Sequence, residues 1–104
     1  MKKRLGSIKI AKSLWGKTVG VMLWKDFGTS KGLLLPSTNA IHTFFVRFPL
    51  DVVFLDKDYK VIQVVEGLRP WSFSPIVWKA KHTLELPAGS IKRHKLEIND
   101  KIYL

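Results

Sequence analysis

The sequence predicts a mainly β domain on the α+β borderline, built as a small antiparallel β sandwich or partly closed barrel with one or two short helices. Three observations predict it. Short apolar runs recur along the chain, turn-forming residues separate them, and the runs at 51–56 and 60–65 flank DKDY, a sequence typical of a hairpin turn. Because no βαβ pattern is present, we expect antiparallel pairing rather than a parallel sheet.

The individual elements follow from the same apolar pattern and its breaks. Strands are predicted at 5–11, 32–35, 41–48, 51–56, 60–65, 77–86 and 100–104. Ser13 is a good N-cap for a short helix over 14–23, and a second helical turn is predicted from Pro87 to about residue 95. The lysines of the first strand suit the edge of a sheet, where charge discourages unwanted pairing.

The composition describes one folded domain over residues 1–104. Of the 104 residues, 46% are hydrophobic and 25% are charged, which excludes global disorder. The absence of cysteine excludes disulfides, thiolate chemistry and cysteine zinc sites. The basic start, MKKRLGSIKIAKS, lacks the apolar segment of an export signal, and no run approaches the ~20 apolar residues that span a bilayer. We therefore expect a cytoplasmic protein without membrane association.

The net charge of +10 is large for a chain of this length, and residues 1–25 contain no acid. Such a surface attracts nucleic acid, anionic lipid or acidic partners. The basic residues are mostly lysines and are scattered, which is equally typical of a plain solvated surface. Both interpretations stay open at this point.

The segment HTFFVRFPLDVVFLD, residues 42–56, places three polar groups among large apolar ones: His42, Arg47 and Asp51. A buried charge without a partner costs several kcal/mol, so each of these groups needs one. One interpretation is structural: Asp51 satisfies the local backbone or pairs with Arg47, and so sets the strand register. The other is that Arg47 and Arg69 form an anion site in a cleft.

The segment LRPWSFSP, residues 68–75, interleaves aromatic and cationic groups. Trp71 and Phe73 lie next to Arg69, and Trp78 follows. Such a surface suits a sugar ring, a base or a peptide. The alternative is that this proline-rich segment only caps the open end of a small β fold.

These segments carry a resemblance to a known family. The stretches IHTFFVRFPLDVVFLD (41–56), LRPWSFSP (68–75), LELPAGSIKRH (84–94) and INDKI (98–102), with GVML at 20–23, resemble the domain-of-unknown-function 192 family of small bacterial and archaeal proteins. The likeness covers about residues 8–104, and its Pro-Leu-Asp at 49–51 is distinctive. The resemblance implies a mainly β, sandwich-like fold and brings no activity with it.

No catalytic or cofactor motif stands out. The three histidines lack ligand-like spacing, and the sequence contains neither a nucleophile elbow, nor a P-loop, nor a dinucleotide-binding glycine pattern. We therefore expect no metal and no cofactor. Whether the protein is an enzyme, and its oligomeric state, are left open.

Three functional hypotheses follow. The first is a ligand-binding or interaction module for a small molecule or anion, with an Arg and aromatic cleft. Its candidate residues are Arg47, Asp51, Arg69, Trp71 and His42. The second is a nucleic-acid-binding protein, suggested by the charge and the four tryptophans. The third is a hydrolase that uses Asp51, His42 or Glu85, since two carboxylates suffice for glycoside hydrolysis.

Overall fold

A computed structural model describes residues 2–6, 8–10, 32–43 and 48–103. This part of the chain forms β1 (Lys2–Arg4), β2 (Ile8–Ile10), β3 (Gly32–Pro36), β4 (Leu50–Leu55), β5 (Val61–Leu68), β6 (His82–Pro87), α1 (Ser90–Arg93) and β7 (Lys101–Tyr103). The helix predicted over 14–23 lies outside the described residues. Within them, no helix is long and apolar enough to cross a bilayer.

The main sheet has five strands in the order β2-β3-β6-β4-β5. Its centre is antiparallel, because β4 pairs with β6 on one side and with β5 on the other. The predicted turn at 56–59 joins β4 to β5, and Asp56 Oδ1 closes it by accepting the amides of Asp58 (2.8 Å) and Lys60 (2.9 Å). The mainly β prediction and this hairpin are confirmed.

Two strand pairs contradict the expectation of purely antiparallel pairing. β2 pairs with β3 in parallel, and β1 pairs in parallel with β7 to form a separate two-stranded sheet. Periodicity predicts strands but does not identify their partners, and β1 and β7 come from opposite ends of the described chain. A backbone bridge between Lys60 and Lys101 joins this small sheet to the β4–β5 hairpin.

One predicted strand is shorter than expected, and another lies partly outside the described residues. The strand predicted over 77–86 begins only at His82, since residues 77–81 form a turn in which the Ala80 amide donates to the Val77 carbonyl over 2.8 Å. In the strand predicted over 41–48, residues 41–43 contribute one isolated bridge, His42 to Phe73. Both segments are rich in apolar and aromatic residues, which mark strands and buried loops alike.

The sheet buries apolar side chains on both faces because neighbouring residues of a strand point in opposite directions. One face carries a cluster of seven buried residues, Leu33, Leu35, Ile41, Leu50, Val52, Phe54 and Ala80. The opposite face packs Leu34, Val53 and Leu84 against α1 and the segment that follows it, through Ile91 and Leu96. All six residues of β4 are buried, so this strand is the centre of the domain.

Asp51 is the polar group that joins the central strand to its neighbours. Its Oδ1 accepts the Gly67 amide of β5 at 2.9 Å, and its Oδ2 accepts the Ile91 amide of α1 at 2.8 Å. Gly89, with φ 93°, is the N-cap of α1 and has no capping side chain, so Asp51 satisfies one of the free amides at the helix start from a distant strand. The side chain is 1% exposed, and the structural interpretation of Asp51 is the one that this geometry supports.

Candidate functional site

Three of the five predicted site residues lie on one pair of backbone segments. His42 comes from residues 41–43, and Arg69 and Trp71 come from the segment that runs antiparallel to it. Asp51 lies apart from them in β4, bound to backbone amides. Arg47 lies outside the described residues, so the suggested Arg47–Asp51 pair and the Arg47–Arg69 cleft stay predictions.

A buried threonine fixes the geometry of these two segments. Thr43, with no exposed surface, donates its hydroxyl to the Arg69 carbonyl and accepts the Ser72 amide at 2.8 Å. Its backbone carbonyl accepts the Trp71 amide, and its amide donates to the Ser72 carbonyl, both at 2.8 Å. One side chain and its own peptide groups thus hold the chain on either side of Trp71. Sequence analysis did not single out Thr43, because a threonine in an apolar stretch is ordinary strand composition.

The side chains on this segment face the solvent. Trp71 is 60% exposed and Phe73 is 71% exposed, and both His42 and Arg69 are exposed as well. We call His42, Arg69, Trp71 and Phe73 the aromatic loop surface. His42 and Phe73 are directly opposite each other in an antiparallel bridge, so their side chains lie on the same side. Trp71 has φ 60°, a left-handed conformation that is costly for a bulky residue.

Glu85 is the second buried acid of the sheet, and its environment is the reverse of that of Asp51. It is 5% exposed and lies opposite Leu33 of β3 and Val52 of β4. Among the residues that the structure describes, none provides a hydrogen-bond partner for its Oε2. Burial away from water raises the pKa of Glu85 to about 8. The side chain is therefore mostly a neutral acid at pH 7.

The pleat of the sheet separates the two acids. In the register of β4 with β6, Asp51 is opposite Leu86, whereas Glu85 is opposite Val52. Because Asp51 and Val52 are consecutive, Asp51 and Glu85 point to opposite faces of the sheet. Two carboxylates that act on one glycosidic bond must flank it from the same cavity. The geometry therefore does not support a hydrolase that uses Asp51 and Glu85 as a pair.

A second surface of the described chain is strongly basic. On the two-stranded sheet, Lys2 is opposite Lys101 and Arg4 is opposite Tyr103, while Lys101 is also opposite Lys60. Residues opposite each other in a sheet project to the same side, so these five side chains share one face, which we call the basic face. These lysines are scattered along the sequence, and only strand pairing between distant parts of the chain groups them on one face.

The charges on the basic face oppose one another. Like charges directly opposite in a sheet are destabilising, and Lys101 has such a neighbour on each side. The ammonium groups of Lys2 and Lys101 lie 5.7 Å and 5.9 Å from the centre of the Tyr103 ring. Although burial raises the pKa of Asp56, backbone hydrogen bonds and the charges of Lys60 and Lys101 lower it below its ordinary value. One carboxylate thus offsets part of the repulsion.

Metal binding finds no support in the described residues. Across 2–6, 8–10, 32–43 and 48–103, no three His, Asp or Glu side chains are grouped closely enough to hold an ion. The two buried acids of the main sheet are also poor candidates individually, because Asp51 already accepts two amides and Glu85 is mostly protonated at pH 7.

The buried acid Glu85 predicts how stability depends on pH. The unfolded chain ionises this group from its ordinary pKa of 4.5 upward, whereas the folded protein keeps its proton until about pH 8. Stability is therefore lost as pH rises between these values, by up to about 1.4 kcal/mol per pH unit. The test is urea unfolding of Glu85→Gln and of the parent protein at pH 5, 6, 7 and 8. We expect the free energy of unfolding of Glu85→Gln, relative to that of the parent, to increase with each rise in pH.

The exposed Glu97 provides the matched control, since Glu97→Gln removes the same charge without changing a buried group. Its difference from the parent should stay nearly constant with pH. If the difference in free energy of unfolding between Glu85→Gln and the parent were also constant with pH, Glu85 would ionise normally in the folded protein and the prediction would be wrong.

Comparison with known proteins agrees with the fold described above. A crystal structure of a protein of unknown function from Novosphingobium aromaticivorans superposes with a TM-score of 0.78 over 90% of this chain and 71% of that one. The two are 20% identical in sequence, so the likeness concerns the fold alone.

Sequence relatives come from archaea. A UPF0127 protein of Thermococcus sibiricus is 34% identical over 93% of this chain, which spans 65% of that protein's length. A UPF0127 protein of Pyrococcus abyssi is also 34% identical over 93% of the chain, which here spans 85% of the relative. The model of the DUF192 family, described as an uncharacterized ACR, matches residues 2–104. The chain belongs to the DUF192 family.

Proposed function

We propose that the protein is a ligand-binding module, and that the aromatic loop surface binds a small anionic molecule that contains a ring. Arg69 supplies a permanent positive charge for a carboxylate or phosphate. Trp71 and Phe73 supply apolar faces on which a ring can stack. His42 adds an imidazole next to Phe73.

The observation that carries this proposal is that exposed aromatic side chains sit on a backbone held by buried hydrogen bonds. Large aromatic groups stabilise a fold when they are buried, yet Trp71 and Phe73 leave more than half of their surfaces in water. The segment beneath them is held in one conformation through Thr43, at the expense of a left-handed Trp71. A rigid, pre-formed surface loses less entropy when a ligand binds.

The proposal predicts that Trp71 contributes to binding more than to stability. Trp71→Gly removes the indole, and glycine adopts φ 60° without strain, so the free energy of unfolding should change by less than about 1 kcal/mol. Ligand-detected NMR with a library of aromatic carboxylates and phosphates identifies binders of the parent protein. Trp71→Gly and Arg69→Ala should each weaken the best binder at least about tenfold.

Two exposed residues outside the surface serve as controls. Ile98 is 58% exposed, and Lys79 is an exposed cation, so Ile98→Ala and Lys79→Ala remove comparable groups elsewhere. Both should bind like the parent. Unchanged binding in Trp71→Gly and Arg69→Ala would contradict the proposed site, as would a library without binders.

We propose nucleic-acid binding as a second candidate function, located on the basic face. The support for it is that Lys101 lies opposite Lys2 on one side and opposite Lys60 on the other, so three positive charges are neighbours on this face. A phosphate backbone carries its charges in a row and would reduce this repulsion. Tyr103 adds a ring that can stack on a base, which favours a single strand.

This candidate predicts a binding affinity that falls steeply with salt. With a fluorescent single-stranded oligonucleotide, each lysine that contacts a phosphate contributes about −0.7 to the slope of log K against log salt. Lys60→Ala and Lys101→Ala should each make the slope shallower by this amount, whereas Lys92→Ala, an exposed lysine of α1, should not. Failure to bind at low salt, or equal slopes in all three variants, would eliminate the candidate.

A further inference from the structure

A groove with a volume of about 510 Å³ lies at the end of the sheet where β6 begins. Three segments meet there: the turn after β3, the β4–β5 turn and the turn that precedes β6. Its polar and aromatic lining consists of Ser37, Asn39, Lys57, Trp78, Lys81 and His82. The volume falls within the range of small-molecule sites. None of these residues belongs to the aromatic loop surface or to the basic face.

The charge of the lining is positive. Lys57 and Lys81 are both exposed, and the Lys81 amide donates to the Leu55 carbonyl over 2.8 Å, which holds Lys81 close to the turn that carries Lys57. Among the residues that the structure describes, the lining contains no carboxylate. The nearby Asp56 accepts the amides of Asp58 and Lys60 through one oxygen, so its carboxylate is engaged in closing the turn.

His82 presents a defined hydrogen-bond donor. Its Nδ1 accepts the Ser37 amide at 3.3 Å, which assigns the proton of the neutral ring to Nε2. The ring stacks on Tyr59 with 4.9 Å between centroids and 23° between planes. Burial lowers the pKa of His82, and the charge of Asp56 opposes this shift. At pH 7 the imidazole is therefore neutral and held in one orientation, with Nε2–H as its donor.

Trp78 provides a flat apolar surface for the groove. It is 79% exposed, although the turn that carries it is tied down by the Val77 amide, which donates to the Asn39 carbonyl over 2.9 Å. The indole of Trp78 is thus in contact with water, while the backbone that carries it is held in place. Such a face stacks readily on a planar ring.

We propose that this groove binds a phosphate monoester carried on a planar heterocycle, the chemical class of a mononucleotide. Lys57 and Lys81 balance the two negative charges of the phosphate, since lysine binds phosphate as a point charge. The Nε2–H of His82 donates to a phosphate oxygen, Trp78 stacks on the ring, and Asn39 offers an amide to its edge. A carboxylate, with one negative charge, would balance only one of the two lysines, and a neutral ring would balance neither.

The test uses AMP as the probe, with adenosine and inorganic phosphate as its two halves, in calorimetric titrations of the full chain at pH 7. We expect AMP to bind at least tenfold more tightly than either half. Trp78→Ala and Lys81→Ala should each weaken AMP binding at least tenfold. Two controls, Lys79→Ala and Ile98→Ala, remove an exposed lysine and an exposed apolar side chain that lie outside the groove and should leave AMP binding unchanged.

Long-range proton–nitrogen NMR provides an independent readout. The His82 ring should show a neutral Nε2–H form before AMP is added, and its Nε2 resonance should shift on binding. Absence of AMP binding at millimolar concentration would overturn the proposal, as would equal affinity in Trp78→Ala, Lys81→Ala and the controls. Trp78→Ala and Lys81→Ala leave the aromatic loop surface intact, so loss of AMP binding in these two variants identifies the groove. Loss of AMP binding in Trp71→Gly alone would place AMP on the aromatic loop surface and overturn the proposal for the groove.

Discussion

The carboxylate of Asp51 is the interaction on which the arrangement of the sheet depends. It lies in the fully buried central strand β4 and accepts one amide from β5 and one from α1. A helix of four residues has no independent stability, so α1 needs tertiary contacts to persist. The buried side chain of Ile91 and the carboxylate of Asp51 provide them.

The two buried acids of the main sheet, Asp51 and Glu85, show how the surroundings of a buried carboxyl group determine its effect on stability. Asp51 is surrounded by donors and joins three elements, whereas Glu85, on the other face, lies among apolar side chains and stays mostly protonated at pH 7. One pleat of the backbone separates these environments. As a result, Glu85 lowers the stability of the fold as pH rises from about 4.5 to about 8, whereas Asp51 connects the central strand to β5 and α1.

The parts of the fold that were predictable are those determined by neighbouring residues. β4, the turn at 56–59, the start of β5 and the helical turn after Pro87 were recognised because alternation and turn chemistry act over a few positions. The pairing of β1 with β7 was not, since no local pattern links positions about a hundred residues apart. The run VW at 77–78 resembles a strand but leads into a turn, in which Val77 packs against the core and Trp78 is exposed. Apolar composition does not distinguish these two environments.

The same distinction applies to the candidate surfaces. His42, Arg69 and Trp71 were singled out by composition, and the structure brings them together through Thr43, although their role in binding stays a prediction. The basic face and the groove near His82 were missed, because each is assembled from segments that pairing alone brings together. Residue types are thus readable from sequence, whereas their grouping requires the register of the sheet.

Amide hydrogen exchange at Gly67 and Ile91 tests the central role of Asp51 most directly. Gly67 is exposed and lies near the end of its strand, and Ile91 is the second residue of a one-turn helix. Local secondary structure alone would therefore not protect either amide from exchange. If Asp51 holds both, they exchange only when the whole domain unfolds, and Asp51→Ala, which removes both acceptor oxygens, releases both together. Rapid exchange of these two amides in the parent protein, at the rate of exposed turns, would contradict the account.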